Sequence, residues 1–177
     1  MIKRIDRLDD IPACLRGTPV EELILYQNFA AAHKSYTSAQ LLVGMCMDNR
    51  KQLKLPENFA YIIRTGGANL RYSEFKVSYA IAVGGVNHIV LIAHDHCGMV
   101  NLAGKMQPFI DGLSRLENWT PERARDHFLN YAPIYEIEDE TEFVLTESRR
   151  LSEKYKGVTV VSLYYTLDDN RLSLIEE

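Results

Sequence analysis

The chain has no basic run. Its 177 residues carry 20 Lys and Arg against 24 Asp and Glu, a net charge of −4, so a nucleic-acid partner has no electrostatic footing. No apolar stretch reaches the ~18 residues that span a bilayer. The N-terminal Met-Ile-Lys-Arg-Ile-Asp-Arg is not followed by the apolar segment of a secretory signal. Cysteine is scarce: three residues, an odd number, form no disulfide framework and point to a reducing compartment, the cytoplasm. Internal repeats, low-complexity segments and linkers are absent, so 1–177 reads as a single domain. A composition of 46% hydrophobic and 25% charged residues is ordinary for a globular protein that can bury a substantial core.

What is present is concentrated in two stretches. Leu41-Leu42-Val43-Gly44-Met45-Cys46-Met47-Asp48-Asn49-Arg50 and Ile89-Val90-Leu91-Ile92-Ala93-His94-Asp95-His96-Cys97-Gly98 are short apolar runs that stop at metal-capable side chains. Such runs read as fully buried strands of a parallel sheet. Lying side by side, they deliver Cys46, His94 and Cys97 to one place outside the carboxyl ends of the strands, where open α/β sheets carry their sites. Two thiolates and one imidazole form a three-ligand zinc set. A fourth protein ligand would make the site structural, and a position kept for water would make it catalytic. Asp48 and Arg50 alternate with Cys46, so in extended chain all three project to one side. Asp48 can then be the fourth ligand or accept a hydrogen bond from zinc-bound water, and Arg50 can hold it through a two-pronged contact.

This pattern, Cys-x-Asp-x-Arg followed some fifty residues later by His-x-x-Cys-Gly, resembles the β-class carbonic anhydrases. Ile62-Ile63-Arg64-Thr65-Gly66-Gly67-Ala68-Asn69 is similar to that family's Arg-Asn-Ala-Gly loop, and the likeness extends over about residues 20–175. The resemblance implies an α/β fold with a central four-stranded parallel sheet, an antiparallel edge strand and flanking helices. It implies Zn2+ on Cys46, His94 and Cys97, reversible hydration of carbon dioxide to bicarbonate by a zinc-bound hydroxide, and a homodimer or higher oligomer in which the arm and helix of residues 1–35 pack on the partner. Asp48 would aim the hydroxide and Arg50 would keep Asp48 ionised. The Gly98 N–H would hold a substrate oxygen at the start of a helix. Arg64 could bind loop carbonyls or line a substrate or dimer pocket. Because two thiolates cancel the dication, activity is expected to rise above neutral pH.

Met47, where many members have Ser, is similar to the subgroup that includes certain bacterial carbonic anhydrases and carbonyl sulfide hydrolase. Hydrolysis of carbonyl sulfide or carbon disulfide is therefore the alternative activity. A third reading is a closed-site zinc protein without turnover. Asp95-His96 replaces the family's usual Thr-Asp, and His96 could be a solvent-facing loop residue or a proton shuttle near its ordinary pKa of about 6.5.

The remaining chain reads more simply. Residues 1–19, with Pro12, Pro19 and Cys14, are expected as an extended arm. A helix over 20–34 puts Leu23, Tyr26 and Ala30 on one stripe. Strands are expected at 39–46, 61–63, 88–93 and 158–165, with 171–175 as an edge strand after the Asp168-Asp169-Asn170 turn. Helices are expected over 74–84, capped by Ser73, and over 136–156, closed by Gly157. Thr120-Pro121-Glu122 is a helix start inside a helical insertion over 99–135. His33, His88 and His127 read as helix or strand-edge residues, and Tyr164 and Tyr165 as packing residues.

Overall fold

The structure, a computed structural model, describes residues 1–176. Its centre is a six-stranded sheet made of β1 (Ile2–Arg4), β2 (Leu41–Cys46), β3 (Ala60–Thr65), β4 (His88–His94), β5 (Thr159–Thr166) and β6 (Arg171–Ile175), in the spatial order β1-β6-β5-β4-β2-β3. β3, β2, β4 and β5 run parallel, as the two apolar runs and their spacing demand. β6 is antiparallel to β5, but it is not the edge expected for 171–175. The N-terminal segment supplies β1, which pairs Ile2 with Ile175 and Arg4 with Ser173. The arm over 1–19 is likewise not simply extended. It continues in two 3-10 turns, and Ile5, Ile11 and Leu15 are buried there.

Successive strand residues point to opposite faces, and the core divides accordingly. Val43, Met45, Val90 and Ile92 pack on one side with Val20, Leu23 and Ile24 of α1 (Pro19–Phe29). Leu42, Ile89 and Leu91 pack on the other with Val77 and Ala80 of α2 (Glu74–Ala82) and Val144 and Leu151 of α5 (Glu140–Lys154). Burying each of these large aliphatic side chains stabilises the fold by roughly 1.5–3 kcal/mol, which is why an unbroken apolar run becomes a central strand.

Several boundaries differ from the sequence expectation. α1 ends at Phe29 rather than 34, because Ala30 turns left-handed at φ 50° and stands exposed outside the stripe assigned to it. Ser73 precedes α2 without a side-chain cap bond. α5 starts only at Glu140, since Asp139 accepts from the N–H groups of Thr141 and Glu142 at 2.8 and 2.9 Å and so caps the helix there. It ends at Lys154, with Tyr155 rather than Gly157 at its C-cap. The insertion is a hairpin of α3 (Met106–Glu117) and α4 (Pro121–Tyr135), whose turn is set by Asn118 at φ 54° and by the Thr120 hydroxyl accepting from Arg123 N–H. No helix among the described residues is long and apolar enough to cross a membrane.

Candidate metal centre

β2 and β4 are neighbours with Leu42 opposite Ile89 and Met45 opposite Ile92. The chain leaves their carboxyl ends in opposite directions, toward β3 and toward β5. Such a switch point opens a crevice. Cys46 closes β2 and His94 closes β4, one and two residues beyond that last pair, and a turn brings Cys97 back to them. The Sγ atoms of Cys46 and Cys97 and a ring nitrogen of His94 lie within 4.8 Å of one another, all three residues buried.

The two sulfurs are 3.9 Å apart. That is far too long for a disulfide but close to the ~3.8 Å that separates two sulfurs bound at about 2.3 Å to one tetrahedral ion. The His94 ring is oriented through Nδ1, 2.8 Å from the Asp95 carbonyl. Its buried Nε2 has no hydrogen-bond partner, as expected of an imidazole fixed by one nitrogen so that the other can ligate. The N–H groups of Asp48 and Gly67 reach the Cys46 sulfur, and that of Met99 reaches the Cys97 sulfur. The thiols act on each other. The Cys97 S–H donates to Cys46, which drives Cys46 down in pKa and Cys97 up. A dication removes this conflict by accepting both as thiolates. The donor set, spacing and unpartnered nitrogen fit a metal ion.

Asp48 stands beside this group and is not one of it. Arg50 holds it at both oxygens, Nε at 3.0 Å from Oδ1 and Nη2 at 2.5 Å from Oδ2. That guanidinium, the Arg50 N–H and the charge of Lys51 hold the Asp48 carboxyl well below the usual carboxylate range, against the effect of burial. Asp48 and Arg50 are thus paired, but not in the extended chain expected for Cys46–Arg50: the backbone turns at 49–50 and the Arg50 N–H donates to Asp48 Oδ1 at 2.9 Å. Arg64, at the end of β3, donates to the carbonyls of Cys46, Asp48 and Lys51 at 3.1–3.3 Å. Of the two uses weighed for Arg64, it is the loop-binding one that these contacts describe.

Gly98 does not open a helix. It lies in a turn, its carbonyl accepts from Lys105 Nζ at 2.5 Å, and the next α-helix starts at Met106. The helix-start anion site expected there is not formed, because Ile137 N–H bonds the Met99 carbonyl and Val100 pairs with Ile137 in a bridge that keeps the segment extended. His96 is exposed in a left-handed conformation, φ 54°, and its carbonyl accepts from Arg50 at 3.0 Å. His33, His88 and His127 lie outside the metal group. His33 meets Tyr26, His88 bonds Asn87, and His127 sits among Phe109, Trp119 and Tyr131 on the hairpin. Cys14 is exposed. Tyr165 is buried, with its hydroxyl 2.7 Å from Asn170 Oδ1.

Three residues of the site carried no motif. Glu140, at the start of α5, accepts from the Cys97 N–H at 3.2 Å. Asp95 accepts from Leu167 N–H at 2.9 Å and fastens the ligand turn to the β5–β6 turn. Lys51 is a fully buried lysine directly behind the Cys-x-Asp-x-Arg run.

No family model and no curated protein matches the chain. Solved structures do. The β-carbonic anhydrase isoform I of Trichomonas vaginalis superposes with a TM-score of 0.65 at 17% identity, over 93% of this chain and 98% of that one. A carbonic anhydrase from Streptococcus mutans gives 0.61 at 16% identity, over 89% and 95%. The apo form of a carbon disulfide hydrolase gives 0.57 at 18% identity, over 89% and 87%. The chain therefore has the α/β fold of the β-carbonic anhydrases, with a buried Cys-His-Cys group at the carboxyl ends of its central strands.

Proposed function

We propose that the protein is a zinc-dependent hydratase that interconverts carbon dioxide and bicarbonate. The observation that carries this reading is the buried group of Cys46, His94 and Cys97, with its unpartnered Nε2, beside an aspartate held at both oxygens by Arg50. Zinc held by these three would supply a water acidified far below its ordinary pKa of ~15.7. Asp48, ionised and fixed by Arg50, would accept a hydrogen bond from the attacking O–H, which keeps its proton, and so orient the nucleophile. Arg64 holds the Cys46–Lys51 loop on which both depend, and the Gly98 N–H, in a turn rather than at a helix start, would hold a substrate oxygen. The Arg50–Asp48 contact favours this reading over a shut site in which Asp48 ligates the metal.

The decisive experiment is stopped-flow carbon dioxide hydration by zinc-replete protein between about pH 6.5 and 9, with turnover expected to rise above neutral. No turnover across that range ends the proposal. Hydrolysis of carbonyl sulfide or carbon disulfide is the second reading, favoured by Met47, which stands 64% exposed between Cys46 and Asp48, and by the likeness to the carbon disulfide hydrolase. Hydrogen sulfide release far faster than carbon dioxide turnover would establish it.

We further propose at least a homodimer working in the cytoplasm, where the three unpaired cysteines stay reduced. The outermost strand β3 exposes Tyr61 and Ile62 beside Phe75 and Tyr79 of α2, a surface that suits a second copy. α1 lies on its own sheet through Val20, Leu23 and Ile24, so a partner would meet its outer face. Light scattering that shows an active monomer would refute the dimer.

A further inference from the structure

Cys97 is the member of the metal-capable group that lies outside a strand. Cys46 closes β2 and His94 closes β4, so sheet register places both. Cys97 needs another support, and it comes from the stretch that returns from the α3–α4 hairpin. Ile137 N–H donates to the Met99 carbonyl at 3.1 Å, and Val100 pairs with Ile137. Three residues further on, Glu140 Oε1 accepts the Cys97 N–H at 3.2 Å. Among the described residues no backbone carbonyl takes that amide. The Cys97 carbonyl accepts from Val100 N–H at 3.2 Å, and its sulfur accepts from Met99 N–H. The amide, carbonyl and sulfur of this one ligand are all held, and a side chain holds only the amide.

Glu140 is free for this task because its neighbour caps the helix. Asp139 Oδ1 takes the N–H groups of Thr141 and Glu142. The Glu140 carboxylate, at the first position of α5, therefore serves Cys97 rather than its own helix. The helix dipole favours an anion at that position, and an amide bonds a carboxylate more strongly than a neutral acceptor. Ile137, Met99 and Phe143 pack with the two cysteines, which keeps water from competing for the contact. We propose that Glu140 is a positioning residue of the metal centre: by taking the Cys97 amide it holds the ligand turn where the Cys97 sulfur can share an ion with Cys46 and His94. Glu140 is not a member of the metal-capable group and acts through Cys97 alone. The inference rests on the zinc reading of that group, adds what holds its third ligand, and does not depend on turnover.

The test is the zinc affinity of the full chain, measured by competition with a chromogenic chelator, for Glu140→Ala, Glu140→Gln and Glu142→Ala. Each variant is also loaded with cobalt(II), whose sulfur-to-metal absorption reports on the thiolate ligands. Glu140→Ala should bind zinc roughly 10–100-fold more weakly, the usual cost of losing the partner of a metal ligand, and its cobalt band should shift. Glu140→Gln keeps an acceptor oxygen on the same stem and should restore most of both. Glu142→Ala removes an exposed carboxylate from the same first turn of α5 and should match the wild type, which separates contact from charge. The gap between zinc-loaded and metal-free melting temperatures should narrow in Glu140→Ala, whereas a merely structural contact would lower both alike. Wild-type affinity in Glu140→Ala, an unchanged gap or cobalt band, a Glu140→Gln as weak as Glu140→Ala, or an equal loss in Glu142→Ala would each overturn the assignment. A wild type that binds no zinc would end it together with the hydratase reading. A chain that needs Glu140 to hold zinc yet hydrates no carbon dioxide would sink the activity and leave this inference standing.

Discussion

Arg50 grips Asp48 at both oxygens and, with the same Nη2, reaches the His96 carbonyl at 3.0 Å. One guanidinium thus ties the loop after β2 to the turn that carries Cys97. A planar fork can do this and an ammonium cannot. Arg50→Lys should keep the charge, lose the second contact and lower kcat/KM for carbon dioxide. Asp48→Asn should lower it by about 100-fold, the size of a misoriented reacting group, with zinc content unchanged. Zinc analysis beside stopped-flow kinetics checks both. A normal rate in Asp48→Asn would remove the role given to that carboxylate.

Cys46→Ser and His94→Ala should each lose bound zinc, because each leaves two protein ligands where three are needed. Chelation of the wild type should lower its melting temperature and restored zinc should raise it, as for any ligand that binds the folded state alone. Metal analysis and calorimetry read the two effects separately.

Gly67 sits at φ 59°, and a Cβ there would meet Ile137 Cδ1 at 3.1 Å. Its N–H also serves the Cys46 sulfur. Gly67→Ala should cost about 1–2 kcal/mol from the left-handed backbone alone and weaken zinc retention against a chelator. A variant with wild-type stability and metal affinity would show that the loop has another way to close.

Asp139 carries the pH prediction. The Thr141 side chain and the Glu142 and Thr141 N–H groups lower its pKa below the ordinary value. A carboxyl lowered on folding contributes stability that is present above the unfolded pKa of about 3.9 and is lost as pH falls through the folded value. Asp139→Ala should cost about 1 kcal/mol near neutral pH. Asp139→Asn should keep most of the cap and soften the loss of stability in acid. Denaturant unfolding at neutral pH and below about pH 4 distinguishes them.

Much of this was legible in the chain. Unbroken apolar runs such as Leu41–Cys46 and His88–His94 admit few fates other than central parallel strands, because only burial on both faces satisfies them. Their endings in Cys46, His94 and Cys97 then determined where a metal could sit, since strand register carries ligand register with it. Alternation in extended chain foresees the carboxylate–guanidinium pair, but the chain turns at 49–50, and it is the turn, closed by the Arg50 N–H on Asp48 Oδ1, that brings the two together. Tertiary structure decided the rest. That Ile2–Arg4 covers β6, that Gly98 opens no helix, that Glu140 holds the Cys97 amide and that Lys51 is sealed inside all depend on partners remote in sequence. Local propensity has no term for a contact between residues 97 and 140, nor for the burial of a lysine.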